Sequence, residues 1–342
     1  MPSPPEVRTP DPRAGRVTAP RRRSRAAPDR RPRIGASVDI GSNSVHLLVA
    51  VGAGHRLRPL VDESVFLGLG DAVQARGLLG GPKRAELTAA LVGYAETARR
   101  LGAEAITFVG TEPLRRAADA ASVVHDLERL SGVPLLVLDH AEEAVLTLLG
   151  VTNGRPVDGE LVVVDVGGGS SEFVAVGPNR PAVAAGLRLG SAALTGRHVE
   201  HDPPLRDEVD RMLAEARGLV ASAPPARPRE LVAVGGTASN LVRVLPAAAL
   251  DRTLTRRRIA EALAVLLTEP AALAAERHAV NLVRARILPA GAAILTAILE
   301  HYRIDRLHVS EAGIREGAVL AALHDPLGWR DRLRELGRGW SS

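Results

Sequence analysis

Cysteine is absent from the 342-residue chain. Disulfides, zinc–thiolate centres and thiol nucleophiles are therefore excluded from the outset. Aromatic residues make up 2%, which leaves single-stranded nucleic acid little to stack on, so no specific nucleic-acid partner is expected. Lysine occurs once, as Lys83, and arginine carries the rest of the cationic charge. No uninterrupted apolar run approaches the roughly 20 residues that a membrane helix needs; the longest candidates break at Arg, Glu or Pro. No apolar h-region follows Met1. A membrane association and a secretory route are not expected, and a cytoplasmic location is.

What remains has the composition of a globular protein, 46% hydrophobic and 24% charged, and is long enough for two domains with substantial cores. The net charge of +5 is unevenly placed. Ten arginines lie in residues 1–33 against Glu6, Asp11 and Asp29, a local excess of seven, which leaves about −2 for the rest. This Pro-, Arg- and Ala-rich stretch has no apolar periodicity and reads as a disordered tail, either a polyanion-binding segment or a solvated extension.

The most informative stretch is Leu161 to Val176. An apolar run reaches Asp165 and is broken by Gly167, Gly168 and Gly169. Ser170, Ser171 and Glu172 follow, and Phe173 resumes the apolar pattern. Strand, glycines, strand reads as a hairpin. Glycines at positive φ would let an anion approach the backbone N–H row. Asp165 and Glu172 bracket the turn with carboxylates suited to a divalent cation riding on a phosphate. The stretch has an echo. Val38-Asp39-Ile40-Gly41-Ser42-Asn43-Ser44 repeats the pattern of Val164 to Ser170, and such a repeat implies two similar lobes, each with a phosphate turn. Two facing turns with a cleft between them is the arrangement of the actin, sugar-kinase and Hsp70 ATPase superfamily.

Strands and helices alternate along the chain, which argues an α/β fold. Strands are expected at 36–42, 45–52, about 56–66, 105–110, 135–139, 231–234 and 307–310. Helices are expected at 83–101, 121–131, 141–149, 205–222, 256–267 with Thr255 as cap, 284–300 and 311–323. Glu142 and Glu143 fall in the first turn of the third of these, where acids also suit the helix dipole. Gly235-Gly236-Thr237 opens a helix after a strand, so its N–H groups suit an anion. The organisation expected is a basic tail (1–33), a first actin-like lobe (34–155), a second (156–325) and a short C-terminal tail (326–342).

In combination these motifs resemble the exopolyphosphatase and guanosine pentaphosphate phosphatase family, from about residue 36 to 323. Val38 to His46 is similar to the family's first phosphate motif, and Asp165 to Glu172 to the second. Gly110-Thr111 through Leu114-Arg115 resembles the segment whose arginine grips substrate phosphate. Glu142-Glu143-Ala144 resembles the segment whose second glutamate activates water. Gly186 to Thr195, Asp202-Pro203, Gly235-Gly236-Thr237, Ala290-Gly291 and Arg315-Glu316-Gly317 follow in the family's order. The resemblance implies a two-lobed actin-like (duplicated ribonuclease H-like) fold, a homodimer, and hydrolysis of terminal phosphoanhydrides of polyphosphate or guanosine pentaphosphate with Mg²⁺, Mn²⁺ being the alternative.

The implied division of labour has Gly41, Ser42, Asn43, Gly167, Gly168, Gly169, Ser170, Gly235, Gly236 and Thr237 cradling phosphates. Asp39, Asp165 and Glu172 hold the metal, Arg115 neutralises developing charge and Glu143 accepts the proton of water. Some positions depart from the family pattern. Phe66 stands for an arginine, His140 for the glycine before the Glu-Glu-Ala segment, Val145 for the arginine often following it, and Asp119 for an asparagine. Phe66 and Val145 remove charge, so a second expectation is a sensor that binds polyphosphate or guanosine tetraphosphate without turnover. The resemblance ends near Leu323, which implies short chains over processive action on long ones. His198 and His201 have metal-like spacing but fall in a loop ending in Asp-Pro and are not expected to bind metal. His46 is expected to pack or hydrogen-bond near the first motif.

Overall fold

A computed structural model describes residues 31–178, 180–326 and 328–339. The expected basic tail lies, up to residue 30, outside the described residues, and residues 31–342 form one unit. The first strand runs from Arg33 to Ile40 and carries the start of the first motif.

Two mixed sheets organise the chain. The first has the order β3-β2-β1-β4-β5, built from β1 (Arg33–Ile40), β2 (Ser44–Ala53), β3 (Arg56–Phe66), β4 (Ala105–Gly110) and β5 (Leu135–Val137). The second has the order β10-β11-β9-β6-β7-β8. It is built from β6 (Leu161–Val166), β7 (Ser171–Gly177), β8 (Arg180–Leu187), β9 (Glu230–Val234), β10 (Thr253–Thr255) and β11 (Arg306–Val309). Read from opposite ends, the sheets repeat one plan. β1 pairs antiparallel with β2 and parallel with β4, as β6 does with β7 and β9. The short echo in the sequence marks a duplication of a whole sheet.

Alternation along each strand decides what covers it. Val162, Val164 and Val166 of β6 face one core with the helices Arg206–Val220, Gly235–Val244 and Leu282–His301, while Leu161 and Val163 face another that includes Ala144 and Leu148 of helix His140–Thr152. Both faces are apolar, hence the unbroken Leu-Val-Val-Val. In the first sheet, Ala36, Val38 and Ile40 meet Leu87, Leu91, Ala95 and Ala98 of helix Gly80–Arg100. Helix Leu282–His301 is long and apolar enough to cross a membrane by composition alone. Here it is a central helix of the second core, with Leu288, Ile294, Leu295, Ile298 and Leu299 buried.

The division at residue 155 is crossed in both directions. Helix His140–Thr152, before it, packs on β6, β7 and β8; helix Ile314–His324, after it, packs on β1, β2 and β4. The two helices also pack on each other at glycines. A Cβ on Gly150 would lie 1.9 Å from the Gly313 carbonyl oxygen, and one on Gly317 would lie 1.8 Å from that of Leu146.

Candidate active site

The duplicated hairpins bring their turns to one place. Each is closed by the same bond, Gly41 N–H to the Ser44 carbonyl at 3.1 Å and Gly167 N–H to that of Ser170 at 3.0 Å. The turns face each other, since a Cβ on Gly168 would lie 3.2 Å from Asn43 Nδ2. Between them lies a cleft of about 860 Å³ lined by Asp39, Gly41, Ser42, Asn43, Glu143, Asp165, Gly167, Gly168, Gly169, Ser170, Glu172, Gly235 and Gly236, a size suited to a nucleotide or a short oligoanion.

The glycines act by room rather than by left-handed backbone. Gly167, Gly168 and Gly169 are not among the described positive-φ residues, which corrects the expectation from the sequence; a Cβ on Gly169 would lie 3.0 Å from Glu112 Cδ. Gly235 does take φ 85°, and a Cβ there would lie 2.3 Å from Asp165 Oδ1. At Gly236 a Cβ would lie 1.9 Å from Arg284 Nη1. The glycine pair thus seats a carboxylate and a guanidinium beside the cleft. Thr237, expected among the phosphate ligands, is turned inward. It is buried, its Oγ1 lies 3.3 Å from Ser191 Oγ, and its methyl occupies the space beside Gly291.

The strand register places the acids. Asp39 is opposite His46, and Asp165 is opposite Glu172. Burial, reinforced by the charge of Asp165, pushes Asp39 up to about 7. Burial also pushes Asp165 up to about 6, Arg284 opposing. Asp39 Oδ1 is buried without a hydrogen-bond partner. A buried, mutually repelling pair with an orphaned oxygen is a donor set suited to a hard divalent cation. Glu172 does not complete it. Its Oε1 is turned to His140 Nδ1 at 2.8 Å, and among the described residues the trio whose ligand atoms lie within 4.8 Å of one another is His140, Glu143 and Glu172. The expected trio of Asp39, Asp165 and Glu172 is corrected to that extent.

The two adjacent glutamates have separate tasks. Glu142 closes a capping box with Asp139 and binds Arg330 at 2.6 Å, so it holds the helix start. Glu143 enters the cleft with its side chain 10% exposed. Burial and the nearby Glu172 raise its pKa well above the usual carboxylate range. Arg115 does not line the cleft. Its Nη1 donates to Glu143 Oε2 at 2.7 Å and to the Leu138 carbonyl at 2.8 Å, and its Nη2 lies 3.1 Å from His140 Nδ1. In this state it positions the acid, and it would have to turn to grip a phosphate.

The profile of the Ppx/GppA phosphatase family matches residues 47–325. The chain belongs to the Ppx/GppA phosphatase family. Exopolyphosphatase 1 of Mycobacterium tuberculosis is 30% identical over 302 residues, covering 84% of this chain and 87% of that protein. The Ppx/GppA family member of Aquifex aeolicus, solved as a crystal structure, is 26% identical, with a TM-score of 0.77 over 87% of this chain and 99% of its own. An exopolyphosphatase from Cytophaga hutchinsonii, 21% identical with a TM-score of 0.75 over 85% of this chain and 98% of that one, shares the fold. The two-lobed actin-like α/β architecture is thereby established, and Ppx/GppA membership makes the chain a hydrolase.

Within that family cleft, the departures in sequence separate into two kinds. Phe66 lines the cleft and is 43% exposed, so a charge there is truly missing. Val145 is not a cleft residue; it is buried with Leu138, Trp329 and Leu333, and no phosphate contact is lost through it. Asp119 accepts from the Leu79 and Gly80 N–H groups at 3.0 Å each, pinning the start of a helix. His198 and His201 bind Glu215 and Glu208 separately, at 2.5 and 2.9 Å, and form no joint site. His46 lines the cleft, and burial holds it down at about 4, so it is neutral.

Sequence reasoning missed several cleft residues. Glu112 accepts from Ser42 Oγ at 2.8 Å and from Arg116 Nη1 at 2.7 Å, so the first phosphate turn is braced by a carboxylate. Arg243, Arg252 and Arg284 also line the cleft, and burial lowers the pKa of Arg284 against the pull of Asp165. In a chain with this much arginine, no sequence signal sets these apart. Arg315, noted only as part of a motif, pairs with Asp62 at the cleft wall.

Proposed function

We propose that this cleft hydrolyses terminal phosphoanhydride bonds of inorganic polyphosphate, short chains favoured, and of guanosine pentaphosphate. The observation that carries the reading is Glu143, a buried carboxylate of raised pKa placed in the same cleft as the paired glycine turns. Raising a carboxylate's pKa makes it a stronger base for taking a proton from water. The water oxygen then bonds to the terminal phosphorus, the bridging P–O bond breaks, and orthophosphate and the shortened chain leave. Backbone N–H groups of the two turns bind and align the phosphates, so positioning does much of the work. Ser42, Asn43 and Ser170 add polar contacts, while Arg284, Arg252 and Arg243 receive the rest of the anion.

Asp39 and Asp165 would hold Mg²⁺, or Mn²⁺ in its place, on the strength of their burial and the unpartnered Asp39 oxygen. Bound there, the ion would neutralise phosphate charge and polarise the scissile group.

The test is phosphate release by the purified protein from short polyphosphate and from guanosine pentaphosphate, with Mg²⁺ or Mn²⁺. Turnover is expected, falling by about 10²-fold or more in Glu143→Gln. A protein inert on both substrates with either ion overturns the reading. Tight binding without turnover would instead support a sensor, which the uncharged Phe66 on the cleft wall favours. A cytoplasmic homodimer accompanies the proposal; a monomer mass by light scattering at micromolar concentration would remove the dimer.

A further inference from the structure

His140 sits at the first helical position of His140–Thr152, next to the cap Asp139. Its imidazole is seated against β8, where Gly186 makes room; a Cβ there would lie 2.2 Å from His140 Cγ. The ring therefore stands where a larger neighbour would expel it. Its Nδ1 lies 2.8 Å from Glu172 Oε1. With Glu143, which enters from the same helix, the three side chains bring ligand atoms within 4.8 Å of one another. Glu143 and Glu172 are 10% and 2% exposed, whereas His140 is 39% exposed. The group thus combines two buried carboxylates with a half-buried imidazole whose Nδ1 faces Glu172.

We propose that His140, Glu143 and Glu172 bind a borderline divalent metal of the Zn²⁺ class, with His140 supplying the nitrogen ligand. All-oxygen donor sets suit Mg²⁺ and Ca²⁺, whereas an imidazole turns preference toward Zn²⁺ and its stand-in Co²⁺. The donor set is distinct from the Asp39–Asp165 pair, so the two ions need not compete for it. Arg115 is the rival cation. Its Nη1 is 2.7 Å from Glu143 and its Nη2 is 3.7 Å from Glu172. Guanidinium and metal are alternative counter-ions for the same carboxylates, and the remaining tie of Arg115 is the Leu138 carbonyl. Metal entry releases Arg115 toward the cleft.

Zn²⁺ on Glu143 would occupy the carboxylate that the phosphohydrolase reading uses as its base, so the ion would act there as an inhibitor; the test of binding uses no substrate. Full-length protein freed of metal with a chelator is titrated with ZnCl₂, and separately with MgCl₂, by calorimetry. Visible absorption of Co²⁺ is followed in parallel. The wild type is expected to bind Zn²⁺ about tenfold or more tightly than His140→Gly, the typical cost of losing a group that shapes a metal site, with Mg²⁺ affinity equal in both. Arg115→Met is expected to bind Zn²⁺ more tightly than the wild type. Equal Zn²⁺ affinity in wild type and His140→Gly overturns the proposal, as does an equal loss for Mg²⁺, which would make His140 merely structural. Should His140→Gly fail to fold, His140→Gln takes its place under the same criteria. A wild-type protein without Co²⁺ d–d absorption overturns the proposal whatever the variants do.

Discussion

Arg115 holds Glu143 through a 2.7 Å charge-assisted hydrogen bond, both side chains being largely buried. The guanidinium opposes the burial and the Glu172 charge that push Glu143 upward. Removing it as Arg115→Met should raise the Glu143 pKa further. The acid limb of the pH–rate profile should then move to higher pH, with the loss in kcat greatest below neutrality. An acid limb that stays in place while only KM rises would mean that Arg115 acts on substrate alone.

Phe66 is an exposed apolar residue on a wall that otherwise offers polar groups such as Ser64 and Asp62. Phe66→Arg should raise kcat/KM on polyphosphate at low salt. A surface charge pair is worth up to about 1 kcal/mol, so the expected gain is roughly fivefold, fading as salt shortens the Debye length. No gain at low salt would show that substrate does not reach this wall.

Metal-free protein should lose stability as pH rises. Asp39 at about 7 and Asp165 at about 6 are raised above their unfolded values. Their protonated forms therefore favour the fold, fully below about pH 4, and this is lost as pH climbs through the folded values. His46, held at about 4, works in the opposite sense and weakens the fold as pH falls below about 6.5. Between pH 6.5 and 8 Asp39 still titrates, with Glu143 and Glu172 raised in the same sense, while Asp165 has mostly lost its proton. The Tm should fall across that window, stability dropping by at most about 1.4 kcal/mol per pH unit for each group still protonated, and less in Asp39→Asn. Added Mg²⁺ should restore more Tm at pH 8 than at pH 5. A Tm that is flat with pH and insensitive to Mg²⁺ would contradict the donor set.

Gly317→Ala would drive a methyl into the Leu146 carbonyl, 1.8 Å from the Cβ position. Backbone cannot yield as a side chain does, so destabilisation of at least about 2 kcal/mol is expected. A mutation at open Gly196, where a Cβ meets nothing within 4 Å, should be far milder. Equal thermal shifts for the two would refute the close helix crossing.

Much of this architecture is written locally. Asp165, at the end of a β-branched run, and its echo Asp39 announce the paired hairpins because strand alternation and glycine turns need nothing distant. The capping role of Glu142 and the inward role of Glu143 are less legible, since both suit a helix start and only Arg330 and Glu172, far along the chain, separate them. Val145 and Thr237 read as cleft residues until packing shows their true neighbours, Trp329 and Gly291. The edge strand β8, with three alanines and one proline, and helix Ser191–His198 carry little periodicity and escaped the sequence reading. Arg284 is set apart only by Gly236, which admits it.

Helix Ile314–His324 covers the face of the first sheet opposite helix Gly80–Arg100. Val319 joins Leu48 and Ala50, the Arg315 carbonyl accepts from Ser37 Oγ at 2.9 Å, and Leu323 fills the space beside Gly35 and Gly52. Synthesis runs from the N-terminus, so β1, β2 and β4 emerge from the ribosome some 200 residues before their cover. A domain normally folds as its own residues emerge. This one must wait with an apolar sheet face open, so the first lobe is completed only once a helix about 200 residues further along the chain has emerged.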